Sequence, residues 1–331
     1  MDLTKDYSFF PRYNERLHDL YEKMRDSFWV PSEIDFSTDR NDWENLENSN
    51  NKINKGILKF IEHILAFFAQ ADGIVNENLL SNFQRETSNI KEARDFYTMQ
   101  CANETIHAET YGISIQTLIR NTEKKKRMFN STRNYPSVKK IAQWMDEYMD
   151  SNKKPLLERV VGFCCVEGIL FTSAFCAIYW LKKYKIFRGL WKANEFIARD
   201  EALHTKFGIE LYNGYIKNGF FVDEHTIIRY DKLDDKILTN IIQSAVDVAS
   251  NFAQEALQVE LVGLKTDDMI KYIQSTANSL AFDLGFNKKI YNVVNPFEWM
   301  TVISLPNKTN FFEDDVSEYS KVKFDITEMM E

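Results

Sequence analysis

Residues 102–111 read ANETIHAETY and residues 198–204 read ARDEALH. Each run contains Glu-x-x-His: Glu104 with His107, and Glu201 with His204. A helix brings positions i and i+3 onto one face, so each pair points a carboxylate and an imidazole the same way. Around both pairs the apolar residues recur at helical spacing. The first stripe is Ala93, Tyr97, Gln100, Glu104, His107, Tyr111, Ile115, Leu118, and the second is Ile197, Glu201, His204, Gly208, Leu211. The ionisable groups therefore face inward with the core residues.

The helical pattern before each pair carries an inward acid of its own. Over residues 51–83 the stripe runs Ile57, Ile61, Ile64, Phe68, Val75, Leu79, and Asp72 fills its one gap. Over residues 156–183 it runs Val160, Phe163, Glu167, Phe171, Ala174, Ile178, Leu181. Burying a single unpaired carboxylate costs several kcal/mol, and four together repel one another. Protonation offsets part of this. Two divalent cations offset it fully, because Asp72, Glu104, Glu167 and Glu201 bring four negative charges. His107 and His204 add neutral nitrogen donors, a mixed shell that suits iron or manganese. Two Glu-x-x-His helices with one acid from each of two others make the ferritin-like dimetal site, with Asp72 where that scheme has a Glu. A third pair, Glu15 and His18, reads as an accident on an exposed N-terminal segment. His63 and His225 read as surface histidines.

The rest of the chain supports an all-α, ferritin-like bundle. Among 331 residues, 44% are hydrophobic and only 11 are Gly and 6 Pro, too few breakers for an all-β fold. The long helices are expected at 51–83, 91–120, 156–183 and 193–218, with others at 138–148, 238–262 and 266–284. Residues 1–50 read as a segment of short helices and loops, 51–305 as the metal-binding domain, and 306–331 as a flexible, charged tail. The formal net charge is -8 and the one basic run is residues 124–127, so no nucleic-acid footprint is present. Cys101, Cys164, Cys165 and Cys176 form no Cys-x-x-Cys pair and read as reduced core residues. The start, MDLTKDYSFFPRYNER, lacks the apolar core of a signal peptide, so a cytoplasmic location is expected. Residues 160–181 are long and apolar enough to span a bilayer but carry Glu167 near their middle. They read as the central helix of a large core, with no membrane partner. No Gly-rich phosphate loop occurs, so the chain binds no nucleotide by that route.

The runs AFFAQADGIVNENL at 66–79, ANETIHAETY at 102–111, ERVVGFCCVEGILF at 158–171 and ARDEALH at 198–204 carry a family likeness. They resemble the small, radical-generating subunit of class I ribonucleotide reductase of the eukaryotic type, and the likeness extends from about 28 to 319. The resemblance implies an oxo-bridged di-iron site on Asp72, Glu104, His107, Glu167, Glu201 and His204. Manganese is accepted by the same donors. It implies that this site reacts with oxygen and oxidises Tyr111, four residues beyond His107 and about 6 Å from it between Cβ atoms. Phe171, Phe175 and Ile197 match the apolar pocket of that radical. Trp43, in DRNDWENL, matches the tryptophan of the radical path, Asp200 the aspartate linking it to His107, and Tyr319, in FFEDDVSEYS, the tail relay. The expected partners are a second copy of the chain and a large subunit, docked through the tail, that reduces ribonucleoside diphosphates. One departure stands out: the end, KFDITEMME, lacks a terminal Phe, and Phe324 is set back. The alternatives on the same bundle are a di-iron oxidase or ferroxidase, and a paralogue that assembles without making a radical.

Overall fold

Asn51 opens the first long helix by accepting the Ile53 amide on its side chain. In the computed structural model, which describes residues 8–297 and 300 apart from 259, 260 and 262, that helix is the third. It is preceded by α1 (Glu15–Asp26) and α2 (Ser37–Glu47). Helix α3 (Lys52–Asn78) runs through a π-helical turn, Leu79–Phe83, into the short α4 (Gln84–Glu86). Then come α5 (Lys91–Leu118), α6 (Thr122–Phe129), α7 (Ser131–Asn134) and α8 (Pro136–Met149). Helix α9 (Leu156–Cys165) passes through a second π-helical turn, Val166–Phe171, into α10 (Thr172–Lys183), and α11 spans Arg188–Lys217. A hairpin of β1 (Phe220–Phe221) and β2 (Ile227–Ile228) leads to α12 (Asp235–Ala256) and α13 (Thr266–Asp283). The chain divides into one compact unit, Met1–Pro296, and the remainder, Phe297–Glu331.

Four helical runs form the heart of this unit. Helix α3 packs along α5, the α9–α10 run packs along α11, and α11 also touches α5. Helices α12 and α13 close the bundle against the second π turn, while α1 and α2 lie across α5 and α11. The stripes expected from sequence are the buried faces: Ile64, Phe68, Val75, Ile115, Ile197 and Leu211 are each 2% exposed or less. The stretch Leu156–Lys183 is long and apolar enough to cross a membrane, yet 94% of its most apolar window is buried in the bundle. All four cysteines are free. Three are core residues as expected, but Cys101 is only half-buried.

The structure departs from the sequence reading in several places. Helix α11 begins at Arg188, five residues before the expected start. The reason is a cap supplied from far away: Asp39 accepts the Gly189 and Leu190 amides at 2.7 Å each, and Asp42 accepts the Phe187 amide at 2.7 Å. A start signal 150 residues distant in the sequence is invisible to local capping rules. Close approach fixes Gly189 too, since a Cβ there would sit 2.5 Å from the Asp35 carbonyl oxygen. The basic connection 122–129 is helical, opened by Asn121 accepting the Lys124 amide. His63 is buried, not on the surface. Its Nε2 lies 3.0 Å from Ser137 Oγ and 3.6 Å from Glu255 Oε1, because α8 and α12 cover that side of α3. His18 is buried as well, with Nε2 3.4 Å from Glu22 Oε1, while Glu15 is exposed, so that third pair does not turn its two groups into the core together. His225 is exposed as expected.

Candidate metal centre

Six side chains from four helical runs meet in the bundle interior. Asp72 comes from α3, Glu104 and His107 from α5, Glu167 from the second π turn, and Glu201 and His204 from α11. Each is 2% exposed or less. Glu104, Glu167, Glu201 and His204 each offer a ligand atom, and these atoms all lie within 4.8 Å of one another. His107 Nδ1 is 2.9 Å from Glu201 Oε1 and 3.5 Å from Glu104 Oε2. His204 Nδ1 is 2.8 Å from Glu201 Oε2 and 3.1 Å from Glu104 Oε1. The π turn at Val166–Phe171 widens the helix where Glu167 enters the cluster, a distortion that recurs at functional sites. Gln100, one turn before Glu104, donates from Nε2 to Glu167 Oε1 at 3.1 Å and to Glu104 Oε1 at 3.3 Å.

The electrostatics are those of a site built for cations. Burial pushes Asp72 well above the usual carboxylate range, and Glu104 adds to the push. Burial does the same to Glu167, reinforced by Glu201. Burial alone would lower the histidines, but the surrounding acids win. Asp200, Glu104 and Glu201 hold His107 well above its ordinary value, and Glu201 with Glu104 raises His204 to about 9. Burial likewise pushes Glu201 upward, yet His204, Glu167 and His107 together bring it below its ordinary value. Both oxygens of Asp72, Oε2 of Glu167 and Nε2 of His204 have no hydrogen-bond partner among the described residues. Four carboxylates and two imidazoles with orphaned donor atoms fit a pair of divalent ions of the iron or manganese type.

The description "Ribonucleotide reductase, small chain" belongs to a family model that matches residues 6–296. The protein belongs to this family. It is 40% identical to a ribonucleoside-diphosphate reductase small subunit of Arabidopsis thaliana over 315 residues, 95% of this sequence and 88% of that protein. The small subunit of Dictyostelium discoideum is 41% identical, with 95% and 86% covered. Among solved structures, the Saccharomyces cerevisiae ribonucleotide reductase Rnr4 homodimer has 27% identity and a TM-score of 0.73, covering 90% of this protein and 87% of that one. A Streptococcus sanguinis dimanganese(II)-NrdF shares the fold at 15% identity, TM-score 0.69, covering 91% and 99%. The protein is therefore a subunit of ribonucleoside-diphosphate reductase, with a ferritin-like bundle and a buried cluster that fits two metals.

Around that cluster, this small subunit arranges further residues. Tyr111 is fully buried, and its ring stacks on Phe68 with centroids 4.3 Å apart and planes 2° from parallel. Its hydroxyl has no hydrogen-bond partner among the described residues, and burial, with Asp72 and Glu201 nearby, holds its pKa well above the ordinary value. Phe171 and Phe175 both pack on Phe68, at 5.7 and 5.4 Å, and Ile197 is 1% exposed. Asp200 Oδ2 lies 3.2 Å from His107 Nε2, on the side of the imidazole away from Glu201.

The tryptophan on Asp200 is Trp29, not Trp43. Trp29 Nε1 donates to Asp200 Oδ2 at 2.7 Å, and its ring stacks beside His107 at 6.2 Å. Trp43 packs edge-on against Phe187 with Lys124 Nζ 5.2 Å over its face. The cap from Asp39 and Asp42 ties α2, and Trp43 with it, to the start of α11, about 20 Å along the helix from Asp200. The run DSFWVPSEID around Trp29 holds a signal that helical periodicity does not register: a tryptophan in an apolar patch followed by Pro31, which starts a single turn of helix. Tyr319 and the tail 306–331 lie outside the described residues.

Proposed function

We propose that the centre holds two iron ions, with manganese as the alternative, and that Tyr111 carries a stable radical for use by a separate large subunit. Asp72, Glu104, His107, Glu167, Glu201 and His204 would hold the ion pair, which would supply oxygen-activating, one-electron oxidising chemistry beside the Tyr111 phenol. The observation that carries this reading is the setting of Tyr111. It is a phenol with no partner among the described residues, one turn beyond ligand His107, pressed against Phe68 in a shell that excludes water. A radical there would be shielded from solvent, with no hydrogen-bond partner among the described residues. The row His107, Asp200, Trp29 supports a route outward, since each member hydrogen-bonds the next. In this reading Asp200 keeps the far nitrogen of His107 protonated and takes up the Trp29 indole hydrogen bond. The route continues to the large subunit through the tail and Tyr319, and two small subunits pair as a homodimer, as the yeast relative's structure does.

The test is to add Fe²⁺ and then oxygen to the metal-free protein and record its optical and electron paramagnetic resonance spectra. Wild type is expected to give a long-lived organic radical. Tyr111→Phe is expected to lose it while still binding metal. A wild-type protein that takes up two irons and forms no radical refutes the proposal.

A further inference from the structure

We propose that Gln100 is a positioning residue of the metal centre, a neutral tether that turns Glu167, and to a lesser degree Glu104, toward the ions. The inference rests on the reading that the centre holds a pair of divalent ions. Gln100 stands on α5 one turn before Glu104 and is fully buried. Its Nε2 carries two hydrogens, and two acids are in reach: Glu167 Oε1 at 3.1 Å across the bundle and Glu104 Oε1 at 3.3 Å along the same helix. On both acids the other oxygen, Oε2, has no hydrogen-bond partner among the described residues. Gln100 thus holds one oxygen of each carboxylate and leaves the second for an ion.

The two acids do not depend on it equally. Glu104 is also flanked by His204 Nδ1, 3.1 Å from Oε1, and by His107 Nδ1, 3.5 Å from Oε2. Glu167 pairs with neither imidazole and stands on a π turn, where the helix's own hydrogen-bond ladder is widened. Packing alone does not account for a glutamine here. Leucine or methionine would fill the space without burying an amide, and this amide is not fully satisfied, since its Oε1 has no partner among the described residues. The two neighbouring acids supply the reason. A lysine or arginine at this position would cancel one of the four negative charges and compete with an ion, and an acid would add a fifth. The neutral amide orients the carboxylates and leaves their charge for the metals.

The experiment titrates the full chain anaerobically with Mn²⁺, and separately with Co²⁺, in a calorimeter, for wild type, Gln100→Met and Ser114→Ala. Methionine matches glutamine in length and has no N–H. Ser114 is fully buried on the same helix and donates to the Thr110 carbonyl, so its loss controls for damage to α5 as such. Gln100→Met is expected to bind one ion of the pair about 10–100-fold more weakly and the other within about threefold of wild type, because Glu167 leans on Gln100 more than Glu104 does. Ser114→Ala is expected to bind both as wild type does. The visible bands of Gln100→Met saturated with Co²⁺ are expected to differ from wild type's, because they follow ligand geometry. Unchanged affinities in Gln100→Met overturn the proposal. Equal loss for both ions also overturns it, because that marks a general loosening of the core, and so does a Co²⁺ spectrum identical to wild type's. Gln100→Leu must repeat the split between the two ions, and a split confined to methionine belongs to its sulfur and overturns the proposal. If wild type itself takes up no ion pair, the reading of the centre falls first, and the wild-type titration identifies that failure.

Discussion

Asp200→Asn should weaken metal binding without moving a ligand. Asp200 is fully buried and its Oδ2 accepts two hydrogen bonds, from Trp29 Nε1 at 2.7 Å and from His107 Nε2 at 3.2 Å. Both bonds end on the same oxygen, so asparagine keeps them with its carbonyl there and turns its amide toward the Arg199 guanidinium, which in wild type donates to Oδ1. It also removes the negative charge that holds the proton on Nε2 and so leaves Nδ1 free to face the centre. Removing an outer partner of a metal-binding histidine costs about 10–100-fold in affinity, or about 1.4–2.8 kcal/mol. The amide N–H that then faces Arg199 is left unpaired and costs about 1–3 kcal/mol of stability in addition. At about 2–4 °C per kcal/mol for a domain of this size, the metal-free variant should melt roughly 2–12 °C lower. Anaerobic titration with Fe²⁺ or Mn²⁺, followed by calorimetry, measures the affinity, and Trp29 fluorescence reports the loss of its charged acceptor. Asp42→Asn is the control. It weakens the cap at Phe187 on the same helix and should leave metal affinity as in wild type. An Asp200→Asn affinity within about twofold of wild type, well inside the tenfold loss expected, would refute the claim that Asp200 orients His107.

Three further outcomes follow from the same structure. Metal loading should raise the melting temperature: at about 100 times the dissociation constant the gain is about 2.7 kcal/mol, or roughly 5–10 °C here, and a calorimetric scan that shows no rise would contradict it. Ligands must be deprotonated to bind, so binding should release protons. Because the metal-free His204 holds its proton up to about 9, apparent affinity should rise with pH and level off above that value; an affinity flat between neutral pH and 9 would contradict it. Asp39→Ala should strip the acceptor from two helix amides and lower stability by about 1–3 kcal/mol. Urea denaturation measures this, and an unchanged midpoint would mean the α11 cap is dispensable.

Much of the centre was legible in the residues alone. Helical period is a local property, so stripes carrying Asp72, Glu104, His107, Glu167, Glu201 and His204 announced inward acids and imidazoles before any packing was known. The charge argument needed only their count. What periodicity could not supply was which distant side chains touch. The tryptophan that meets Asp200 is a case in point. Trp29 follows Phe28 and Trp43 sits among polar residues, and helical periodicity does not say which of them meets Asp200. Only the docking of α1 and α2 on α11 puts one indole on Asp200 and the other three to four helical turns away, against Phe187. The same holds for the start of α11, whose cap lies on α2, and for His63, whose burial depends on α8 and α12. Residue order and periodicity determined the bundle and its six inward donors, because both are written in neighbours three or four residues apart. The tertiary structure decided the second layer, because contacts across 100 or more residues, such as Trp29 to Asp200, leave no local mark in the sequence.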